Sequence, residues 1–333
     1  MTKRLVAMAV LLAACGTDSV SLEDYPQEFR DAFCRNFVKC GVVKDLDTCR
    51  NLNFGVDLHV TASGQAAFDM GKAKFHGEKA QSCVDGIANS SCDLTSESQR
   101  QLPLACDQVA TGTLHNGEAC TLGAECISTT CSVPNCGMAC CTGSCVGDTA
   151  PAVGKLGGPC PSGRCESGAY CDFASEACLS YKPAGAVCAA AFECAPGLAC
   201  IGSGLTGTCT KLPKLGEACT TFCTDFGATC NPTSKTCVEV AIGGEACATD
   251  NDCSALYFCD RGACSGGIAL GAACTPQDHC VDPRAFCDVP RGAISGTCVL
   301  PKANGMPCNF SDECQSFACS RDTGMCIDEP VCI

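Results

Sequence analysis

The chain contains no tryptophan, and aromatic residues make up 5% of its 333 positions. Aromatic side chains carry the largest apolar payloads, so a large conventional core is excluded. Positive charge is scarce too: 22 Lys and Arg stand against 36 Asp and Glu, a net charge of −14. A nucleic-acid surface needs clustered Lys and Arg. No such cluster occurs, so nucleic acid is not an expected partner. The four histidines, His59, His76, His115 and His279, are scattered, and neither H-E-x-x-H nor C-x2-C occurs. Zinc sites are read from those spacings, so no metal is expected. The G-x-S-x-G elbow of serine hydrolases is missing as well. No catalytic residue and no cofactor is expected, and the chain does not read as an enzyme.

What the chain has is cysteine: 39 residues, with 35 Gly beside them. That density marks a disulfide scaffold. Cytosolic thiols stay reduced, so the composition points to an oxidising compartment. A catalytic thiol is not expected where nearly all cysteines are oxidised.

Lys3 and Arg4 precede ten uncharged, mostly apolar residues, Leu5 to Ala14. These are the parts of a signal peptide, and the run is too short to span a bilayer. Leu12-Ala13-Ala14-Cys15 resembles a bacterial lipobox. The resemblance implies a lipoprotein signal peptide over 1–14, acylation of Cys15 and a tether over 15–22. Gly16 follows the Cys, and similarity to enterobacterial sorting then implies the outer membrane, on its periplasmic face or the cell surface. An ordinary secretory signal with a chance Cys is the alternative. Acylation of Cys15 leaves 38 cysteines, an even number that disulfides can use in full.

Gly-x-x-Cys opens each of seven repeats: GEAC (Cys120), GGPC (Cys160), GAVC (Cys188), GEAC (Cys219), GEAC (Cys247), GAAC (Cys274) and GMPC (Cys308). Self-similarity at intervals of 27 to 40 residues marks an array of small units. The modules run 117–156, 157–184, 185–215, 216–243, 244–270, 271–304 and 305–333. The Gly is expected to hold a backbone conformation that a Cβ disfavours. Three more cysteines follow in each module, with Cys136 as the fourth of the first. The offset from first to third is 11 to 13, and that from second to fourth spreads from 10 to 18. Four cysteines allow three connectivities, and the near-constant offset favours first to third with second to fourth. The expected pairs are Cys160–Cys171 with Cys165–Cys178, Cys188–Cys200 with Cys194–Cys209, and Cys219–Cys230 with Cys223–Cys237. They continue as Cys247–Cys259 with Cys253–Cys264, Cys274–Cys287 with Cys280–Cys298, and Cys308–Cys319 with Cys314–Cys326. The segment from third to fourth Cys reads as a hairpin, with Arg261-Gly262 at the tightest turn. The tips differ in length and sequence, which is where a fixed frame carries specificity.

The frame G-x-x-C-x(3–5)-C-x(4–6)-C over 117–333 resembles Dickkopf N-terminal-like and EB-type cysteine-rich modules. Similar arrays occur in bacterial cysteine-rich lipoproteins behind a short helical domain. The resemblance implies a disulfide-rich repeat array of short β-hairpins with a protein-binding role. Only the cysteine frame matches, so it assigns no binding residues.

Residues 23–116 read differently, with six cysteines: Cys34, Cys40, Cys49, Cys83, Cys92 and Cys106. Phe29, Phe33 and Phe37 fall on one helical face, between Pro26 and Gly41. Ala80, Cys83, Val84 and Ile87 make a second stripe, and weaker patterns lie at 45–54, 64–73 and 95–102. This is a small all-helical domain stapled by up to three disulfides, and the Phe stripe is its core.

Several motifs are decoys. Gly202 to Gly207 (GSGLTG) matches a dinucleotide fingerprint, yet it sits at a hairpin tip and not before a helix. Asp250-Asn251-Asp252 lacks the Gly and distal Glu of a calcium loop, so it reads as a solvated turn. Asn89-Ser90-Ser91 and Asn309-Phe310-Ser311 match the glycosylation sequon by chance if the chain is a bacterial lipoprotein.

The expectation is a lipid-anchored, extracytoplasmic binding protein whose partner is a protein or surface ligand. A protease inhibitor or defence module and a structural spacer of the cell envelope are the alternatives. Modules that contact mainly their neighbours predict an elongated array. The first module adds Cys140, Cys141 and Cys145 after Cys136, and the last adds Cys332, so local pairing leaves one odd cysteine at each end. An elongated array keeps the ends too far apart to bond and leaves Cys332 unpaired or bonded to another chain.

Overall fold

The computed structural model describes residues 19–52, 54, 59–134, 140–203, 206–275, 280–282, 284–290, 292–320 and 322–332. The expected signal peptide over 1–14, Cys15, Cys136, Gly204 and Leu205 of the GSGLTG run, and His279 lie outside them.

The N-terminal region is helical. Apolar residues four apart share a face, and Phe29, Phe33 and Phe37 do so on α1 (Tyr25–Lys39). Pro26 occupies the first turn, where its missing N–H breaks no helical bond. Asp45 and Thr61 cap α2 (Leu46–Arg50) and α3 (Ala62–Asp69), accepting from the amides of Thr48 and Gly64. α4 (Gly77–Ala88) buries Ala80, Cys83, Val84 and Ile87 against Phe29 and Ala32 of α1. One further turn, α5 (Glu97–Arg100), follows. β1 (Ala73–Phe75) pairs antiparallel with β2 (Ala110–Gly112), a pairing too short to show as alternation in sequence. Three disulfides staple the region: Cys34–Cys49 joins α1 to α2, Cys40–Cys92 joins the end of α1 to the segment after α4, and Cys83–Cys106 ties down α4.

The array repeats one construction seven times. The Gly that opens each module has φ between +77° and +87°. A Cβ there would meet nothing within 4 Å, so the left-handed backbone, not lack of space, demands glycine. The Gly is the third residue of a turn closed by the amide that follows it, as Glu217 N–H donates to Lys214 C=O at 2.9 Å. Its own amide reaches the fourth Cys, and that Cys answers: Gly216 donates to Cys237 C=O at 2.8 Å, and Cys237 donates to Glu217 C=O at 2.9 Å. All seven modules share this reciprocal pair. The third and fourth Cys face each other across the hairpin, as Cys171 faces Cys178 and Cys259 faces Cys264. Each is bonded elsewhere, third to first and fourth to second.

Eighteen disulfides join described residues. In modules two to four they are Cys160–Cys171, Cys165–Cys178, Cys188–Cys200, Cys194–Cys209, Cys219–Cys230 and Cys223–Cys237. In modules five to seven they are Cys247–Cys259, Cys253–Cys264, Cys274–Cys287, Cys280–Cys298, Cys308–Cys319 and Cys314–Cys326. Module one has Cys120–Cys131 and Cys126–Cys145. Its fourth frame cysteine is therefore Cys145 and not Cys136. The hairpin there carries a longer tip, and Cys145 stands opposite Cys131 on the returning strand. Sulfur triplets such as Cys160, Cys165 and Cys178 lie within 4.8 Å of one another, but they are oxidised and offer no thiolate.

Two expectations fail together. The array is not elongated, and Cys332 is bonded within its own chain, to Cys140 of module one. The modules wrap around the helical region, which acts as a hub. Module one is bound through Leu114 N–H to Glu125 C=O, and module two through Arg164 to Leu102 C=O. Gly197 of module three donates to Thr95 C=O. Phe226 of module four donates to Cys92 C=O and packs its ring 5.6 Å from Phe37. Tyr257 of module five is buried with Val42, Val43 and Leu52. The tail then returns: Glu329 accepts from Ala62 N–H, and Cys332 N–H donates to Ser63 Oγ. Most of these bonds run through hub carbonyls or amides, which leave no mark in a sequence pattern.

Candidate binding surface

The cores of the modules are largely cystine. In module three Cys188, Cys194 and Cys209 are buried with Leu198 and Cys200 packed against them. Larger apolar groups are left outside. Phe173 (69% exposed), Phe222 (58%) and Phe310 (69%) all stand in solvent. The segments from third to fourth Cys hold four to thirteen residues on the common frame.

One stretch of this surface is aromatic and continuous. Phe173, at the tip of module two, meets Phe192 of module three edge to face, with centroids 6.0 Å apart and planes at 79°. Phe192 leans on Tyr170 at 5.9 Å, and Tyr170 stacks on Tyr181 at 6.1 Å. Tyr170 is buried, and burial pushes its phenol pKa up. Beneath the ridge, Lys182 Nζ donates to Glu193 at 2.6 Å. That hydrogen bond holds the Glu193 carboxyl below the usual carboxylate range and raises Lys182.

Glu193 belongs to a pattern that the sequence reading missed. Modules one, three, five and seven have an acid just before their second Cys: Glu125, Glu193, Asp252 and Glu313. Each accepts from backbone amides near the first Cys, as Glu125 does from Thr121 and Asp252 from Ala248 and Thr249. A lysine reaches three of them: Lys72, Lys182 and Lys302. Lys302 also bonds Asp288 and lies 5.2 Å over the Phe286 ring, tying module six to module seven. The recurrent acidic residue before Cys was the signal that could have revealed these braces.

The other singled-out residues have structural partners. Phe29 and Phe37 are core. Asp250 and Asp252 sit in a 3-10 turn, where Asp250 accepts from the amide of Cys259 and Asp252 from those of Ala248 and Thr249. Gly202 and Gly207 lie on paired strands of a hairpin, away from any helix N-terminus. His59 bonds Glu329, His76 bonds Thr111 and His115 bonds Asp148. Asn89 donates to Asp85 C=O at the end of α4, and Asn309 is exposed. A cleft of about 400 Å³ lies between the end of α1, module four and the start of module five. Its Lys39, Asp225 and Glu245 are each engaged by backbone groups.

Residues 117–333 hold 22 of the 36 acidic and 11 of the 22 basic residues, so the array carries −11 of the net −14. Among the described residues, no helix is long and apolar enough to cross a membrane.

No known protein family and no solved structure matches the chain. It is similar to cell-cell adhesion glycoprotein 64 of Heterostelium pallidum, with 36% identity over 149 residues, 41% of this chain. The chain spans 44% of that relative's length. The protein is thus a cysteine-rich, disulfide-bonded repeat protein with a distant likeness to an adhesion glycoprotein, and its cystines suit an extracellular or secreted setting.

Proposed function

We propose that this protein is a non-enzymatic, extracytoplasmic binding protein that presents its hairpin tips to a protein or surface ligand. One observation carries the reading: seven modules keep the same hydrogen-bonded and cystine frame while their tips differ in length and sequence, and Phe173 at the tip of module two stands in solvent. A frame that resists change and tips that do not resemble one another are the properties of a presenting scaffold. The adhesion glycoprotein it resembles supports the same direction. The Dickkopf- and EB-type frame fits that role. The lipobox-like run supports an anchor at Cys15 and a location on a bacterial outer membrane.

Beads coated with the oxidised protein are expected to capture source cells or their envelope fraction, and beads carrying reduced and alkylated protein are not. Equal capture by both would contradict the reading. Inhibition of a protease panel without capture would favour the inhibitor alternative. Mass spectrometry of membrane-fraction protein tests the anchor: a lipid-modified peptide beginning at Cys15 is expected, and a soluble product beginning elsewhere would overturn it.

A further inference from the structure

We propose that the aromatic ridge across modules two and three is the docking surface for a cationic, Lys- or Arg-bearing polypeptide segment. The inference rests on the binding role above and names the partner class for one site. Phe173 and Phe192 are 69% and 39% exposed and come from different modules. Their near-perpendicular rings form an angled notch, and solvent reaches both residues. The notch is already in place, because Phe192 leans on buried Tyr170 and the Lys182–Glu193 bond joins the two modules below it. Preformed aromatic anchors bind without further ordering cost. Phe222 and Phe310 are as exposed but have no ring partner among the described residues.

Charge selects the occupant. Asp172 and Glu176 flank Phe173 on the same tip. Asp172 accepts from Ser175, which keeps its carboxyl ionised at neutral pH. Lys182, the nearby cation, is matched by Glu193. A ring face attracts a cation, and a Lys or Arg stem packs on the ring while its head reaches a carboxylate. A second copy of this chain is opposed by the −14 that each copy carries.

The chain has no tryptophan, so a Trp-containing peptide reports binding without background. The probe is a ten-residue peptide with four Lys and one Trp, compared with the same peptide carrying Glu for Lys. The Lys peptide is expected to bind the oxidised protein and weaken with salt, while the Glu peptide does not bind. Phe173→Ser with Phe192→Ser should weaken binding about ten-fold or more. The control pair Phe222→Ser with Phe310→Ser should leave it unchanged. Equal binding by wild type and the ridge variant overturns the site, as does equal loss in the control or equal binding of the Glu peptide. If those results come while wild-type beads still capture cells, the ridge falls and the binding role stands. Failure of the wild-type beads removes the binding role itself.

Discussion

The hub and the array solve the same problem with different materials. The hub buries Phe29, Ala32, Val84 and Ile87 between α1 and α4, and adds three disulfides. A module of the array buries little beyond sulfur. In module four the buried cluster is Cys219, Cys223 and Cys237, with Ala228 and Cys230 against it. The hub is a small ordinary core that cystines reinforce, whereas a module is a set of cystines with a chain wrapped around them. Remove the sulfur bonds and the hub loses supports, but a module loses its interior.

Full reduction should expose that contrast most strongly. With the whole chain reduced, amide exchange is expected to become fast throughout 157–333, while α1 and α4 keep measurable protection. Intact protection in the modules after complete reduction would break the comparison. Each module forfeits two cross-links worth roughly 3 kcal/mol apiece, more than so small a burial can replace.

A smaller effect tests the seam. Phe37 belongs to the hub by sequence, yet it packs against Phe54 of the hub and Phe226 of module four. Phe37→Ala should cost about 3 kcal/mol in stability. Exchange should rise in modules four and five as well as in α1. A change confined to α1 would mean that the array does not lean on the hub there.

Smaller still is the effect of Gly216→Ala. At φ +81° with open space around it, the added methyl costs about 1 kcal/mol through backbone strain alone. Thermal unfolding should show the loss, and exchange should rise at the amides of Gly216 and Cys237. No change on substitution would remove the left-handed backbone as the reason for the recurrent Gly.

Acid should have the mildest effect. Glu193 is held low by its bond from Lys182, and Asp252 by the amides of Ala248 and Thr249. A carboxyl whose folded pKa is lowered stabilises fully above its unfolded value, near 4.3 for Glu and 3.9 for Asp. That contribution fades as the pH falls below those values. From about pH 4.3 down to roughly pH 3, protection relative to the intrinsic exchange rate should fall at Ala189 and at Ala248 and Thr249 before that of the α4 core does. Uniform behaviour across both regions would deny the carboxylates this role.

The frame of the array was legible because covalent chemistry writes itself into spacing: seven glycines and a near-constant offset mark turn and cystine together. The Phe stripe was legible for the same reason, since four-residue recurrence has one helical meaning. The wrap was not legible. Phe226 meets Cys92 through backbone atoms, and Arg100 reaches the carbonyls of Cys194 and Leu198. Neither contact has a side-chain signature on both sides. The odd cysteines at the two ends of the array did carry the information. Cys140 and Cys332 were kept apart by the premise that repeats stack in a line, and a hub that contacts five successive modules bends that line back on itself. The first module's frame was misread because its hairpin tip is the longest and holds cysteines of its own.

Closure of the array on itself is the central claim, and non-reducing peptide mapping with prior thiol alkylation tests it most directly. The expected result is one cross-linked species that joins the peptide containing Cys140 to the peptide containing Cys332, in monomeric protein. Alkylated Cys332, or Cys332 linking two chains, would contradict it.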